Sequence, residues 1–249
     1  MKTSQGFTLV EIAIVLAIIA LMLGGGLTLY STQDDQRKKV DTNALLNNAQ
    51  EALIGFAIAN GRLPCPADGT TPAGQTNAVT GIPSGQEAAT CVAASSAGGV
   101  LPWATLGISE TDAWGRRFTY QVTGNWADNT DGTGVASCGI TVGVSFQLCS
   151  NANLNILSTV GGTNVASNVP AVVVSHGVNG LGAYLPSGQR ISPVPAATTD
   201  EGDNADMDAN FVSHSLASAN EAGGYFDDQL VWLSQFTLFN RMVQAGKLP

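Results

Sequence analysis

Charge is scarce in this chain. Of its 249 residues only 12% are charged, about half the usual share, and the 10 Lys and Arg are outnumbered by 19 Asp and Glu for a net charge of −9. Cations so few and scattered exclude a nucleic-acid partner, because phosphate binding needs a positive surface. Aromatic residues make up 6%, and there are two histidines, His176 and His214. Each adjoins a serine, Ser175 or Ser213, but adjacency in sequence is not hydrogen-bonded geometry. There is no GxSxG elbow, no HExxH pair and no phosphate loop. The chain is therefore expected not to be an enzyme and to need no cofactor, with both histidines at surface or turn positions. No cysteine sits in a CxxC pair and no histidine lies at zinc spacing from one, so a zinc module is excluded too.

What is present is glycine, 29 residues, and an ordinary apolar share of 44%. With so few charges this profile reads as a β domain rich in turns. The four cysteines are Cys65, Cys91, Cys138 and Cys149. An even count in an exported chain suggests disulfides, with three pairings open. Pairing between sequence neighbours is favoured. Cys138 and Cys149 bracket Gly139–Leu148, which reads as a β-hairpin. Cys65 and Cys91 would close a loop rich in Gly, Pro and Thr. Buried free thiols are the alternative.

The N-terminus is the most informative stretch. From Ile12 to Leu29 there are eighteen residues without a charge, just enough to cross a bilayer as a helix. An ordinary secretory signal places its cleavage site after the apolar stretch. Here a short polar peptide ending in Gly6 precedes it. Glu11 lies inside the apolar segment, where a carboxylate costs roughly 2.5–3.5 kcal/mol at mid-membrane and less near the end. Such a group needs a partner. Cleavage after Gly6 would supply one, because the new α-amine of Phe7 is cationic near neutral pH.

Gly6-Phe7-Thr8-Leu9-Val10-Glu11 followed by an apolar helix resembles the type IV prepilin cleavage and methylation signature. The family comprises pilins of type IV pili and pseudopilins of type II secretion. The resemblance implies cleavage between Gly6 and Phe7 by a prepilin peptidase, N-methylation of Phe7, and guidance of subunit addition by Glu11. It implies as partners other pilin or pseudopilin subunits and an inner-membrane assembly platform. It also implies a single pass through the inner membrane with the rest periplasmic, then a place in a surface pilus or a periplasmic pseudopilus. One departure is Gly24-Gly25-Gly26, where many relatives carry proline. These glycines predict either a weak point in the helix, at about 1 kcal/mol each relative to Ala, or close helix packing.

Beyond a charged collar, Asp34 to Lys39, an amphipathic stripe runs through Val40, Ala44, Leu45, Ala49, Leu53, Phe56 and Ala57, ended by Gly61 and Pro64. A helix from Phe7 to Asn60 would be about 80 Å long. Residues 62–99 read as a long stapled loop. Asp112-Ala-Trp114-Gly115-Arg116-Arg117-Phe118-Thr119-Tyr120 is similar to a segment of pseudopilin and minor-pilin heads. Physically it is a turn leading into a strand through Phe118, Tyr120 and Val122. Further strands are expected at Ile140–Leu148, Ala171–Ser175 and Asp227–Leu233. A C-terminal helix capped by Ser234 is expected to end at Gly246.

The best metal candidate is the acidic segment holding Asp200, Asp203, Asp206 and Asp208, which suits Ca²⁺ though its spacing is not that of an EF-hand. A solvated acidic loop is the alternative.

The expected fold is α+β: a long N-terminal helix, transmembrane in its first half, packed on a globular head with an antiparallel sheet. Residues 1–6 are a leader, 7–30 the assembly helix, and 31–249 the head with the second half of the helix. The expected function is a structural subunit, a minor pilin or pseudopilin. The alternative is an adhesin displayed on a filament, with recognition loops at 67–99 and 124–137 whose one aromatic is Trp126.

Overall fold

The structure is a computed structural model and describes residues 6–91, 97–128, 144–221 and 223–248, without the side chains of 22–32 and 97. The chain divides into two compact units, Met1–Val40 and Asp41–Pro249.

The first unit is helical. Helix α1 spans Leu9–Asn60, so its first part belongs here, and it runs through Gly24–Gly26 without a break. From Leu9 to Leu21 every large apolar side chain is about half exposed or more, with Leu9 at 86% and Ile19 at 47%. Among the described residues no helix is long and apolar enough to cross a membrane. The expected span, 12–29, continues past Leu21 into side chains outside the description.

In the second unit, the rest of α1 packs through Leu46, Ala49, Leu53, Ile54 and Ala57, all buried, with Thr42 buried one turn earlier. The steps of three and four are as expected, but the stripe is rotated. Val40 and Ala44 are exposed, and Leu46 and Ile54 take the core positions. Gly61 ends the helix at φ +72°, its N–H donating to Ala57 O at 2.8 Å. A left-handed residue there is cheap only for glycine.

Residues 62–91 contain only isolated bridges, as expected of the loop at 62–99, but its last residues, from Ala97, form a strand instead. Cys65 and Cys91 are disulfide-bonded to each other. Arg62 pairs with Glu87 at 2.7 Å, and Glu87 also accepts the Cys65 N–H at 3.0 Å. Strand β1, Ala97–Val100, follows, then helix α2, Trp103–Leu106. Asp112 accepts the amides of Trp114 and Arg116 through Oδ1 and closes the turn, with Gly115 at φ +79°. Strand β2, Thr119–Val122, begins there and leads to helix α3, Gly124–Ala127.

Next come β3, Leu154–Leu157, β4, Asn164–Val169, and β5, Ala171–Ser175, entered through Pro170. Helix α4, Asp200–Ala205, precedes β6, Asn210–Val212, and β7, Gln229–Trp232. Helix α5, Gln235–Gln244, closes the chain. Ser234 occupies its N-cap but its side chain makes no capping bond.

One sheet, ordered β1-β2-β5-β7, is antiparallel throughout. A second, ordered β4-β3-β6, pairs β3 with β6 in parallel. Strand β5 separates two cores. Ala171 and Val173 join Tyr120, Val122, the buried α1 residues and α5 on one face. Val172 and Val174 meet Leu154, Ile156 and Phe211 on the other. That is why β5 is an uninterrupted apolar run: both of its faces are covered. The described part of the expected hairpin, Val144–Leu148, is not a strand, and its remainder lies outside the described residues, as does Cys138.

Candidate functional sites

Gly6 and Phe7 precede α1, and Phe7 is 82% exposed. The helix opens with a reciprocal cap. Thr8 donates from both N–H and Oγ1 to Glu11 Oε2 at 3.1 Å, and Glu11 N–H returns a bond to Thr8 Oγ1 at 3.3 Å. This is the Thr-x-x-Glu capping box, with Thr8 as N-cap and Glu11 at the third helical position, and it satisfies amides that a helix start leaves orphaned. Among the described residues Glu11 therefore has Thr8 as its partner. Its negative charge also faces the positive end of the helix dipole. Exposed apolar side chains lie around it, those of Phe7 ahead of the helix and of Ile12, Val15 and Leu16 on it.

Residues 1–27 match the model of the prokaryotic N-terminal methylation motif. The chain carries the type IV pilin and pseudopilin signature. The match covers Gly6, Phe7 and Glu11 and stops within α1. Comparison with curated proteins finds no significant match, and neither does comparison with solved structures.

Beyond the pilin signature, the acidic segment divides around α4. Asp200 turns away from the other expected ligands. Its Oδ1 accepts the Val160 N–H at 2.8 Å, and its Oδ2 lies 3.1 Å from His214 Nε2. Asp203, Asp206 and Asp208 each offer an oxygen within 4.8 Å of the others. Asp206 and Asp208 are also turn formers, accepting the amides of Asp208 and Asn210. Asp203 Oδ2 is buried and has no hydrogen-bond partner among the described residues. Burial pushes the Asp203 carboxyl up to about 6, and the charges of Asp208, Asp206 and Asp200 add to the rise.

A second group escaped sequence reasoning. Glu201, Asp227 and Asp228 are all buried, and each offers an oxygen within 4.8 Å of the others. Burial pushes Glu201 up to about 7. Hydrogen bonds from Asn179 oppose that rise, while the charges of Asp228 and Asp227 reinforce it. Nothing in the spacing marks this set, since Glu201 precedes Asp227 by a long intervening chain. The Asp227-Asp228 pair reads in sequence only as a strand start.

His176 stands at the turn after β5, as expected, but it is not at the surface: it is 1% exposed. Its Nε2 lies 2.8 Å from Thr119 Oγ1, and its Nδ1 lies 3.7 Å from Asp228 Oδ2. The order hydroxyl, imidazole, carboxylate matches a nucleophile relay. Thr119, however, sits inside the sheet at 1% exposure, out of a substrate's reach. Trp126 also corrects an expectation: it is fully buried, stacked on Phe146 and Phe239 at centroid distances of 4.4 and 5.3 Å.

Proposed function

We propose that this protein is a structural subunit of a type IV pilus or a type II secretion pseudopilus, a minor pilin or pseudopilin. In this reading a prepilin peptidase cleaves between Gly6 and Phe7, Phe7 is N-methylated, and the subunit assembles through α1. One observation carries the reading: the methylation motif at residues 1–27 coincides with a helix start that holds Glu11. Support comes from the apolar surface that follows. A helix exposing Leu9, Ile12, Val15, Leu16 and Ile19 together needs lipid or other subunits to cover it. Before assembly that cover is the inner membrane, crossed once with the second unit periplasmic. In the filament it is the helices of neighbouring subunits.

The methylated α-amine of Phe7 then lies where Glu11 of an adjacent subunit can pair with it. Loss of the Glu11 charge leaves that amine without a partner in a low-dielectric setting, where an unpaired charge is costly. The adhesin alternative loses its aromatic anchor, because Trp126 is a core residue.

Mass spectrometry of the N-terminus of protein isolated from cells expressing a prepilin peptidase is the test. N-methylated Phe7 is the expected terminus. An intact Met1, or cleavage beyond Leu29, would overturn the reading.

A further inference from the structure

Helix α5 carries more apolar surface than the core uses. Its Leu238, Phe239 and Met242 are buried. Phe236 and Val243 are 73% and 44% exposed, and Leu148, across a groove from them, is 51% exposed. One exposed apolar side chain is ordinary, but several around a single depression, rimmed by polar groups, mark a binding surface.

The groove lies between α5 and residues 148–151, within the second unit, and has a volume of about 520 Å³. Small-molecule sites span roughly 300–1,000 Å³. The wall facing α5 is held by its own bonds. Gln147 N–H donates to Ser150 Oγ and Ser150 N–H to Gln147 O, both at 2.8 Å, and Asn151 O accepts the Trp126 Nε1–H at 3.4 Å. The groove lies on neither of the loops, 67–99 and 124–137, that were expected to serve recognition.

The lining selects the ligand. Among the described residues none of its side chains is charged, in a chain with 19 Asp and Glu and 10 Lys and Arg. Phosphates, carboxylates, amines and metal ions find no counter-charge there. Four carboxamides, those of Asn151, Gln235, Asn240 and Gln244, surround the groove instead. A carboxamide offers an acceptor and donors together, which matches a sugar hydroxyl, itself donor and acceptor. Among the described residues no hydrogen bond engages the side chains of Asn151, Asn240 and Gln244. Gln235 Oε1 is buried and has no partner among them either, and a buried acceptor in that state calls for a donor. Phe236 adds an exposed ring, whose electron-rich face suits the C–H face of a pyranose. An apolar helix of a second copy would cover the ring but leave Gln235 Oε1 unsatisfied.

We infer that the groove beside α5 binds a neutral saccharide, with Phe236 stacked on the sugar ring and Asn151, Gln235, Asn240 and Gln244 bonding its hydroxyls. This binding is additional to assembly through α1 and does not depend on it.

The test applies the full chain, in phospholipid nanodiscs, to an array of neutral, sialylated and sulfated oligosaccharides. Retention on neutral members is expected, and the retained sugar is then titrated in solution. Phe236→Ala, and separately Asn240→Ala with Gln244→Ala, are each expected to weaken binding by about tenfold or more. Their melting temperatures are expected to stay close to the parent's, because these side chains are exposed. Val79→Ala, at an apolar position 94% exposed elsewhere, is expected to bind as the parent does. No retention, retention of charged members alone, or unchanged affinity in both groove variants overturns the site. So does a blank array from a chain whose photo-crosslinking amino acid in place of Phe236 captures a second copy, a result that assigns the groove to a subunit contact.

Discussion

Thr8 and Glu11 cap each other at the start of α1, with Glu11 Oε2 receiving both Thr8 donors at 3.1 Å. The carboxylate thus serves the helix start as well as the charge that assembly is proposed to use, and two substitutions separate these roles. Glu11→Gln keeps the box, because glutamine also serves at that position, but removes the charge. Thr8→Ala keeps the charge and weakens the helix start by about 1 kcal/mol. Glu11→Gln protein is expected to insert and be processed, yet to be depleted from sheared filaments. Thr8→Ala protein is expected to be incorporated. The measurement is the amount of each in the filament fraction relative to membranes. Normal incorporation of Glu11→Gln would refute the role of the charge.

What was legible in the sequence followed from local rules. Gly61 ends α1, Gly115 turns the chain into β2, and Pro170 precedes β5, because each position is set by the backbone freedom of one residue. The Cys65–Cys91 bond was legible because the loop between them has little core of its own. The N-terminal site is legible as a motif, and Thr8-x-x-Glu11 also spells out its capping box. The rest depends on contacts between distant segments. The burial of His176 is decided by Thr119 and Asp228, and the parallel pairing of β3 with β6 by a long crossover. Trp126 reads as a loop aromatic until Phe146 and Phe239 are placed around it. The rotation of the α1 stripe is not legible at Ala44, Leu45 and Leu46, because three consecutive apolar residues let several rotations give an apolar face.

Asp68 organises part of the stapled loop. Its carboxylate gathers Thr70, Thr71 and Asn77 at 2.6–2.9 Å. Partial burial pushes its carboxyl up, but the hydrogen bonds from Thr71, Thr70 and Asn77 outweigh that and hold it at about 2, against 3.8 ordinarily. A depressed pKa contributes stability that is present above the unfolded value and is lost as pH falls toward the folded one. The loop is therefore expected to loosen between about pH 4 and pH 2. Protection of the Thr70 amide, taken as its NMR exchange rate relative to the intrinsic rate at each pH, checks it. Asp68→Asn is expected to remove the fall in protection across this range, and an unchanged fall would reject the assignment to Asp68.

Arg117 pins the same loop to the sheet. It is 1% exposed, pairs with Glu110 at 2.8 Å, and donates from Nη1 to the carbonyls of Gly69 and Thr71 at 2.9 Å each. Its guanidinium also lies 4.5 Å from the centre of the Trp103 ring. Removing one partner of a buried pair costs about 3–5 kcal/mol. Glu110 keeps some access to water, so Arg117→Ala is expected near the lower end. Arg117→Lys is expected to lose much of the same, because an ammonium cannot serve a carboxylate and two carbonyls in a planar fork. Denaturant unfolding of the two variants measures both losses. A lysine variant as stable as the parent would show that charge alone suffices.

Trp126 is expected to be the most sensitive single position of the larger core. It is fully buried between Phe146 and Phe239, and Phe239 ties α5 to the same cluster. Truncating a buried tryptophan costs about 3–5 kcal/mol through lost burial and the cavity left behind. Trp126→Phe keeps a stacked ring and loses the Nε1–H bond to Asn151 O, a long one at 3.4 Å, so its cost is expected to be well below that of Trp126→Ala. Thermal unfolding followed by near-ultraviolet circular dichroism orders the three proteins. The same variants separate packing from recognition. A recognition tryptophan can be removed with little loss of melting temperature, whereas a core tryptophan cannot, so a Trp126→Ala protein as stable as the parent would restore the adhesin reading that its burial argues against.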